Sequence, residues 1–233
     1  MAGETNVVWL VGQLPHDVQD LYRLILQSLV KKRQDPELFV QVLRWALFQN
    51  VPLKSAEFSI AYALGMMMKP DSRNLEDAKT FDVLLRDIRQ FEYSLDDNVK
   101  IRMEVFFGHV VKFRDERLEL AHRCLRSILL TDGGELGGGL GLKLSERASH
   151  SILADICIAY LNMAYFDNSG AAPTSNTMDV WESKVRRRIQ SHAFVRYAAL
   201  NWHKHMERAG LSWPRANAKA SLDRMKRLVD GST

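Results

Sequence analysis

The residues best suited to chemistry are two histidines near the end of the chain, His203 and His205, and the chain's two cysteines, Cys124 and Cys157. On a predicted helix, residues two apart point about 200° apart, so the histidines cannot hold one metal ion and we expect them at a surface or interface. Neither cysteine belongs to a CxxC motif or to a Cys/His spacing that suits a metal. We therefore expect both thiols to be buried, reduced and structural.

A glycine-rich stretch, GGELGGGLG at residues 133–141, is the next candidate for chemistry. No Lys-Ser or Lys-Thr follows the glycines and no parallel strand is predicted before them, so a flexible linker is favoured over a phosphate-binding loop. The sequence contains no HExxH or GxSxG motif, and we expect no Cys/His pair for nucleophilic catalysis. These patterns predict a non-enzymatic chain with no catalytic residue, no metal site and no cofactor of its own.

The bulk composition is that of an ordinary globular protein. Its 233 residues are 46% hydrophobic and 26% charged, which suffices for one sizeable core or two small ones and excludes a disordered chain. No apolar run approaches the ~18 residues that would span a membrane. The apolar string VVWLVGQL near the N-terminus is short and no basic residue precedes it, so we expect no signal peptide and a cytoplasmic location.

Helical periodicity dominates the first part of the chain. Apolar residues from Val18 onward predict a one-faced helix, and Pro36 begins a second helix that is apolar nearly all round and should be central. Ser55 is expected to cap a short helix that ends at Gly65. A further helix is predicted between Asn74 and Phe91.

A β-hairpin is predicted after these helices. Residues 105–113 are rich in valine and phenylalanine, residues 114–116 form a charged turn, and residues 118–120 alternate. A helix from His122 to Leu130 follows. Three helices and a hairpin in this order are typical of a winged helix-turn-helix, so we predict a mainly α fold with a winged-helix domain over residues 15–132 and one β-hairpin as its wing.

A second unit is predicted beyond the glycine-rich linker, which we place at residues 133–144. Residues 145–233 would form a helical docking segment, a hairpin of one helix from Ser145 to about Tyr165 and a long helix from Asp179 to about Ala209 that Gly210 ends. Two helices alone cannot close a core, so we expect this segment to dock elsewhere.

The distribution of charge along the chain bears on whether a nucleic acid is its partner. The net charge of +4 permits a nucleic-acid partner, but the predicted helix 74–91 that would enter the DNA groove carries three basic and four acidic residues. Basic residues gather instead at 184–188 and 215–227, where a solvated helix face or a basic tail is the favoured interpretation. Nucleic-acid binding is therefore an alternative, not the main hypothesis.

The order of several local motifs resembles the segment that follows the NACHT ATPase in fungal NOD-like signal-transducing NTPases. LRWALFQNVPL at 43–53 resembles the family's winged-helix motif, and LELAHRCLRSILL at 118–130 is similar to the motif at the end of its wing. Cys157 with 160–161, then 197–198, Trp202 and His205, resemble the motifs that follow, and residues 1–14 look like the end of the ATPase region. Gln49 stands where the family usually has Ala, and Cys124 where it has Ser or Thr.

The resemblance implies a regulatory role without catalysis. In this family the winged helix packs over the ATPase as a lid that holds the ADP-bound resting state, and rotation is relayed to a C-terminal sensor, often ankyrin or other repeats. It implies a NACHT-type ATPase domain, in cis or in trans, and a repeat domain as partners, with ADP or ATP bound only if the chain is joined to an ATPase. His122 becomes the candidate nucleotide sensor, with a buried histidine bonded to backbone as the alternative. The candidate domain-docking residues are Trp45, Trp181, Tyr197, Trp202 and His205.

A different function class also stays open. A stand-alone helical adaptor would bind a partner protein through its helices and would form an oligomer or a sticky monomer.

Overall fold

The computed structural model of the chain describes residues 17–31, 36–67, 101, 103–130, 135–136, 142–161, 182–183, 186, 190 and 192–210. Of the described residues, 73% are helical and a small two-stranded antiparallel sheet accompanies them, so the expected mainly α class is confirmed. The predicted helix 74–91, residues 1–14 and Trp181 lie outside the described residues. The winged-helix assignment and the domain boundaries therefore stay predictions.

Six helices and four short strands are named among the described residues. In chain order they are α1 Val18–Lys31, α2 Pro36–Phe48, α3 Ser55–Met67, β1 Val111–Arg114, β2 Arg117–Leu120, α4 Cys124–Leu130, β3 Glu135–Leu136, β4 Leu142–Lys143, α5 Glu146–Leu161 and α6 Val195–Arg208.

Helix α2 is the centre of the fold, as its all-round apolar sequence predicts. From Phe39 to Phe48, side chains on every face of the helix are buried. Phe39 stacks on Phe107 with ring centroids 5.5 Å apart, and at the other end of the helix Phe48 contacts His150 of α5 at 5.5 Å. Elements from both sides of the glycine-rich stretch therefore pack on α2.

Helix α3 differs from its prediction at both ends. Its first intrahelical hydrogen bond runs from the Phe58 N–H to the Lys54 carbonyl, and the Lys54 N–H donates to Glu57 Oε2 at 2.7 Å, so Lys54 and not Ser55 occupies the N-cap position. The helix also continues past Gly65 to Met67. A Cβ at Gly65 would lie 1.6 Å from Nε2 of the buried Gln41 in α2, so this glycine permits close helix packing and does not end the helix.

The hairpin is shorter than predicted. Strands β1 and β2 pair antiparallel from Val111↔Leu120 to Arg114↔Arg117, so Arg114 lies in a strand and not in the turn. Asp115 and Glu116 alone form the turn, with φ of 49° and 61°, as a two-residue type I′ connection requires.

The expected strand over residues 105–110 is wrong, because residues 103–107 are helical and 108–110 form a turn. The physical reason lies in the spacing of the buried side chains. Met103 and Phe107, four residues apart, both reach the core, as one face of a helix allows.

The loop between α2 and α3 lies beside the hairpin. The Leu118 N–H donates to the Leu53 carbonyl at 2.8 Å, and Lys54 forms an isolated antiparallel bridge with Arg117. Gln49 secures the loop further, since its Nε2 donates to the Leu118 carbonyl at 2.8 Å and its Oε1 accepts the Leu53 N–H at 2.9 Å. A side chain that is unusual for the resembled family thus has a structural task in this chain.

Residues of the predicted linker take part in the fold. Glu135–Leu136 pairs antiparallel with Leu142–Lys143, and Leu144 is buried. One hydrophobic cluster runs from Leu26 of α1 to Ala198 of α6, so the parts before and after the glycine-rich stretch share a core. Ser145 then begins α5 by accepting the Ala148 N–H on its Oγ at 3.4 Å.

The predicted long helix from Asp179 to Ala209 is interrupted. Residues 192–194 are not helical, and α6 begins at Val195. Phe194 gives the reason, because its fully buried ring lies between Tyr160 at 5.2 Å and Trp45 at 5.8 Å, and these core contacts outweigh helix continuity. At its other end, the prediction that Gly210 ends the helix is confirmed, with φ of 63° and its N–H donating to the Glu207 carbonyl.

Candidate functional site

A group of aromatic rings joins the central helix α2 to α6. Trp45 of α2 is 0% exposed and meets Phe194 at 5.8 Å, Tyr197 at 5.8 Å and His205 at 6.5 Å, all in edge-to-face geometry. We call these four residues the Trp45 cluster. Each such aromatic pair contributes about 0.5–1.5 kcal/mol beyond its buried area. Three of the five candidate docking residues, Trp45, Tyr197 and His205, thus lie together inside the chain.

A chain of polar groups runs through this apolar cluster. The backbone N–H of Asn50, just after α2, donates to Tyr197 Oη at 3.1 Å. Tyr197 Oη lies 3.0 Å from His205 Nε2, and His205 Nδ1 lies 2.8 Å from Nδ1 of His150 in α5. We call Tyr197, His205 and His150 the Tyr–His–His chain, and it connects α6, α5 and the loop after α2.

The protons in this chain can be placed from its geometry. Because the Asn50 N–H already donates to Tyr197 Oη, the hydroxyl proton is available for His205 Nε2, which therefore accepts. A neutral His205 then carries its proton on Nδ1 and donates it to His150 Nδ1. His150 in turn holds its proton on Nε2, which lies 3.8 Å from Glu146 Oε1 at the surface. With both imidazoles neutral, the Asn50 N–H, Tyr197 Oη and His205 each have a hydrogen-bond partner, whereas His150 Nε2 is too far from Glu146 Oε1 for a hydrogen bond.

Burial favours this neutral state. Desolvation, with the neighbouring His150 second, lowers the pKa of His205 to about 3. Desolvation also lowers the pKa of His150, with Arg208 as the next cause, while Glu146 acts weakly in the opposite direction. Desolvation raises the pKa of Tyr197, which keeps its hydroxyl protonated. The contact between His150 and Glu146 is therefore that of a neutral imidazole N–H with a carboxylate, not an ion pair.

The remaining docking candidates differ in position. Trp202 is partly buried and packs beside Met206, Ala154 and Ile158, where α6 meets α5. Trp181 lies outside the described residues. His203 is exposed and His205 is buried, so the two do point apart. Of the expected surface or interface position, the surface alternative is wrong for His205, and the interface alternative stays a prediction.

His122, the candidate nucleotide sensor, lies between β2 and α4 and is partly exposed. Its Nδ1 accepts the backbone N–H of Cys124 at 3.2 Å and lies 2.9 Å from Cys124 Sγ. Its ring stacks on Tyr22 of α1, with centroids 5.5 Å apart and planes 23° apart. His122 therefore has a backbone hydrogen bond, but it keeps access to solvent.

Two features escape the sequence interpretation. Cys124 is partly exposed, unlike the buried Cys157, and it forms a Cys/His pair with His122 that the sequence motifs do not predict. The signal for this pair is the i, i+2 spacing in AHRC at the start of a helix. His150 was also missed, and its signal is its helical spacing from Leu153 and Cys157 on the buried face of α5.

Comparison with known proteins adds no family. No protein-family model matches the chain, and no curated protein or solved structure matches it significantly. Within the described part of the chain, no helix has the length and apolar character needed to cross a membrane, and His, Cys, Asp and Glu side chains form no group of three or more that could hold a metal ion. Fold and geometry thus define a mainly helical chain whose described polar centre is a buried hydrogen-bonded relay between helices.

Proposed function

We propose that this chain is a non-catalytic regulatory module in which α5 and α6 are held on the central helix α2 and transmit movement across it. The observation that carries this proposal is the Trp45 cluster with the Tyr–His–His chain. It joins Asn50 to His150 and Tyr197, which lie about a hundred residues or more away along the chain. A directional hydrogen-bond chain inside an apolar cluster has few alternative registers, so it fixes the orientation of one helix on another.

The resemblance to the segment after a NACHT ATPase gives this module a specific role. The chain would act as the winged-helix lid that holds the ADP-bound resting state, and α5 and α6 would relay rotation towards a C-terminal repeat domain. The order of α1, α2, α3 and the β1–β2 hairpin supports the winged-helix proposal. The partly exposed ring of His122, beside that hairpin, supports the proposal that it contacts a phosphate oxygen.

Calorimetry with a NACHT-type ATPase domain supplied in trans tests this function. We expect the chain to bind the ADP-loaded domain at least about tenfold more tightly than the domain loaded with a non-hydrolysable ATP analogue. His122→Ala should reduce that preference, and Cys124→Ser should retain it if His122 itself is the sensor. Equal affinity for the two nucleotide states, or no binding to either, would refute the lid function.

A stand-alone adaptor is the second candidate, and two exposed apolar residues favour it. Ile101 and Val105, four residues apart on the helical stretch before the hairpin, are 58% and 71% exposed. Side chains of this kind on one helical face are common where a partner protein binds. Light scattering after gel filtration tests it: an oligomer that Val105→Asp dissociates favours the adaptor, and a monomer at all concentrations counts against self-association.

A further inference from the structure

The pair formed by Cys124 and His122 has the geometry of a thiol with its own base. Sγ lies 2.9 Å from Nδ1, within reach of an S–H donor. The Cys124 backbone N–H also donates to Nδ1, at 3.2 Å, so this nitrogen is the acceptor and a neutral His122 carries its proton on Nε2. A nucleophile whose base is already oriented is the arrangement that activates cysteines.

The surroundings determine when the thiol reacts. Burial raises the pKa of Cys124, with Asp17 acting in the same direction, while a hydrogen bond from its own backbone N–H and the charge of Arg123 lower it. The resting group is therefore a thiol, and a reaction at neutral pH needs a nearby base to take its proton. His122 lies in position for this, with its ring stacked on Tyr22 at a centroid distance of 5.5 Å.

The other cysteine provides an internal comparison. Cys157 is fully buried in α5, and desolvation raises the pKa of its thiol strongly. Cys124 is partly exposed at the start of α4. Access to solvent and a neighbouring base thus coincide at one of the two thiols of this chain.

We infer that Cys124, with His122 as its base, is a site of oxidation to sulfenic acid by hydrogen peroxide. The S–H proton passes to His122 Nδ1, and the sulfur attacks one peroxide oxygen as the O–O bond breaks. The departing hydroxide takes the proton from the imidazolium and leaves as water, so cysteine is oxidised to sulfenic acid and peroxide is reduced by the same two electrons.

Oxidation at this position changes the packing around it. Oxidation removes the S–H that faces His122 Nδ1, 2.9 Å away, and places a hydroxyl on Sγ, so the contact that orients the His122 ring changes. Because His122 stacks on Tyr22, a change in the orientation of its ring alters its contact with α1. The modification therefore reaches Tyr22 of α1, independently of the function proposed above.

The test treats the full chain with hydrogen peroxide, traps sulfenic acid with dimedone and follows the peptides containing Cys124 and Cys157 by mass spectrometry. We expect the adduct at Cys124, with Cys157 reacting less than about a tenth as fast. His122→Asn keeps an acceptor for the Cys124 N–H but cannot take the proton, so it should slow the reaction at least about tenfold. Cys157→Ser is the matched control and should retain the wild-type rate.

The pH profile of the wild-type chain distinguishes base assistance from mere exposure, even if His122→Asn does not fold. With His122 taking the proton, the rate at Cys124 should rise much less than tenfold per pH unit above neutrality. An exposed thiol without a base follows its thiolate fraction and rises about tenfold per unit. A tenfold slope in the wild type, or equal rates for Cys124 and Cys157, would overturn the inference.

Discussion

Acid should destabilise this chain through His205, and the size of the effect follows from its burial. In the folded chain the pKa of His205 is about 3, and in the unfolded chain it returns to the ordinary value of about 6.5. Between these values the unfolded state binds one proton more than the folded state. The free energy of unfolding is therefore not reduced by His205 above pH ~6.5, and it decreases as the pH falls below this value.

The magnitude can be worked out for a moderate acidification. At pH ~5, His205 is protonated in the unfolded chain but not in the folded chain. This difference lowers the free energy of unfolding by about 2 kcal/mol. His150 adds to the loss in the same direction, since its pKa is also lowered in the folded chain. Against a typical domain stability of roughly 5–15 kcal/mol, this is a large fraction.

Urea unfolding at pH ~7.5 and pH ~5 measures this loss, with His205→Gln as the variant that cannot titrate. The wild type should lose about 2 kcal/mol more unfolding free energy than His205→Gln, in which only the contribution of His150 remains. His203→Gln is the matched control, because it changes an exposed histidine two residues away and should keep the wild-type pH dependence. If His205→Gln and the wild type lose the same free energy on acidification, the buried neutral chain is wrong.

Three further substitutions probe the packing. Trp45→Ala removes the centre of the Trp45 cluster and should cost about 3–5 kcal/mol in urea unfolding; a loss below about 1 kcal/mol would contradict its central position. Tyr197→Phe keeps the ring but leaves two hydrogen-bond partners unsatisfied, so thermal unfolding should show a loss of about 1–3 kcal/mol. Gly65→Ala places a Cβ in the space of the Gln41 side-chain amide, which must move away, while alanine favours the helix, so unfolding should show a net change within about 1 kcal/mol; a loss of several kcal/mol would show that Gln41 cannot move.

The sequence predicts the parts of the fold that local patterns determine. The starts of α1 and α2, the burial of α2 and the end of α6 at Gly210 all follow from periodicity and end signals. The predictions fail where tertiary contacts decide. A glycine is typical of a helix end, but Gly65 lies within α3 and packs against Gln41 of α2. Phe194 interrupts a sequence with helical character because its ring is buried in the core.

The candidate site was predictable only in part. Motif resemblance selected Trp45, Tyr197 and His205, and the structure places these three together. It could not find the contact between His150 and His205, because 55 residues separate them and pairing of this kind depends on how α5 crosses α6. The contact between His122 and Cys124 is local in sequence, but the stacking of His122 on Tyr22 of α1 could not be predicted from local patterns.

Hydrogen exchange measured by mass spectrometry on Tyr197→Phe tests the central claim most directly, namely that the Tyr–His–His chain holds α5 and α6 on α2. Exchange should accelerate in the peptides of α5 and α6 and around Asn50, while the β1–β2 hairpin stays as protected as in the wild type and His203→Ala changes nothing. Unchanged exchange in α5 and α6, or an equal acceleration over all described elements, would contradict the account.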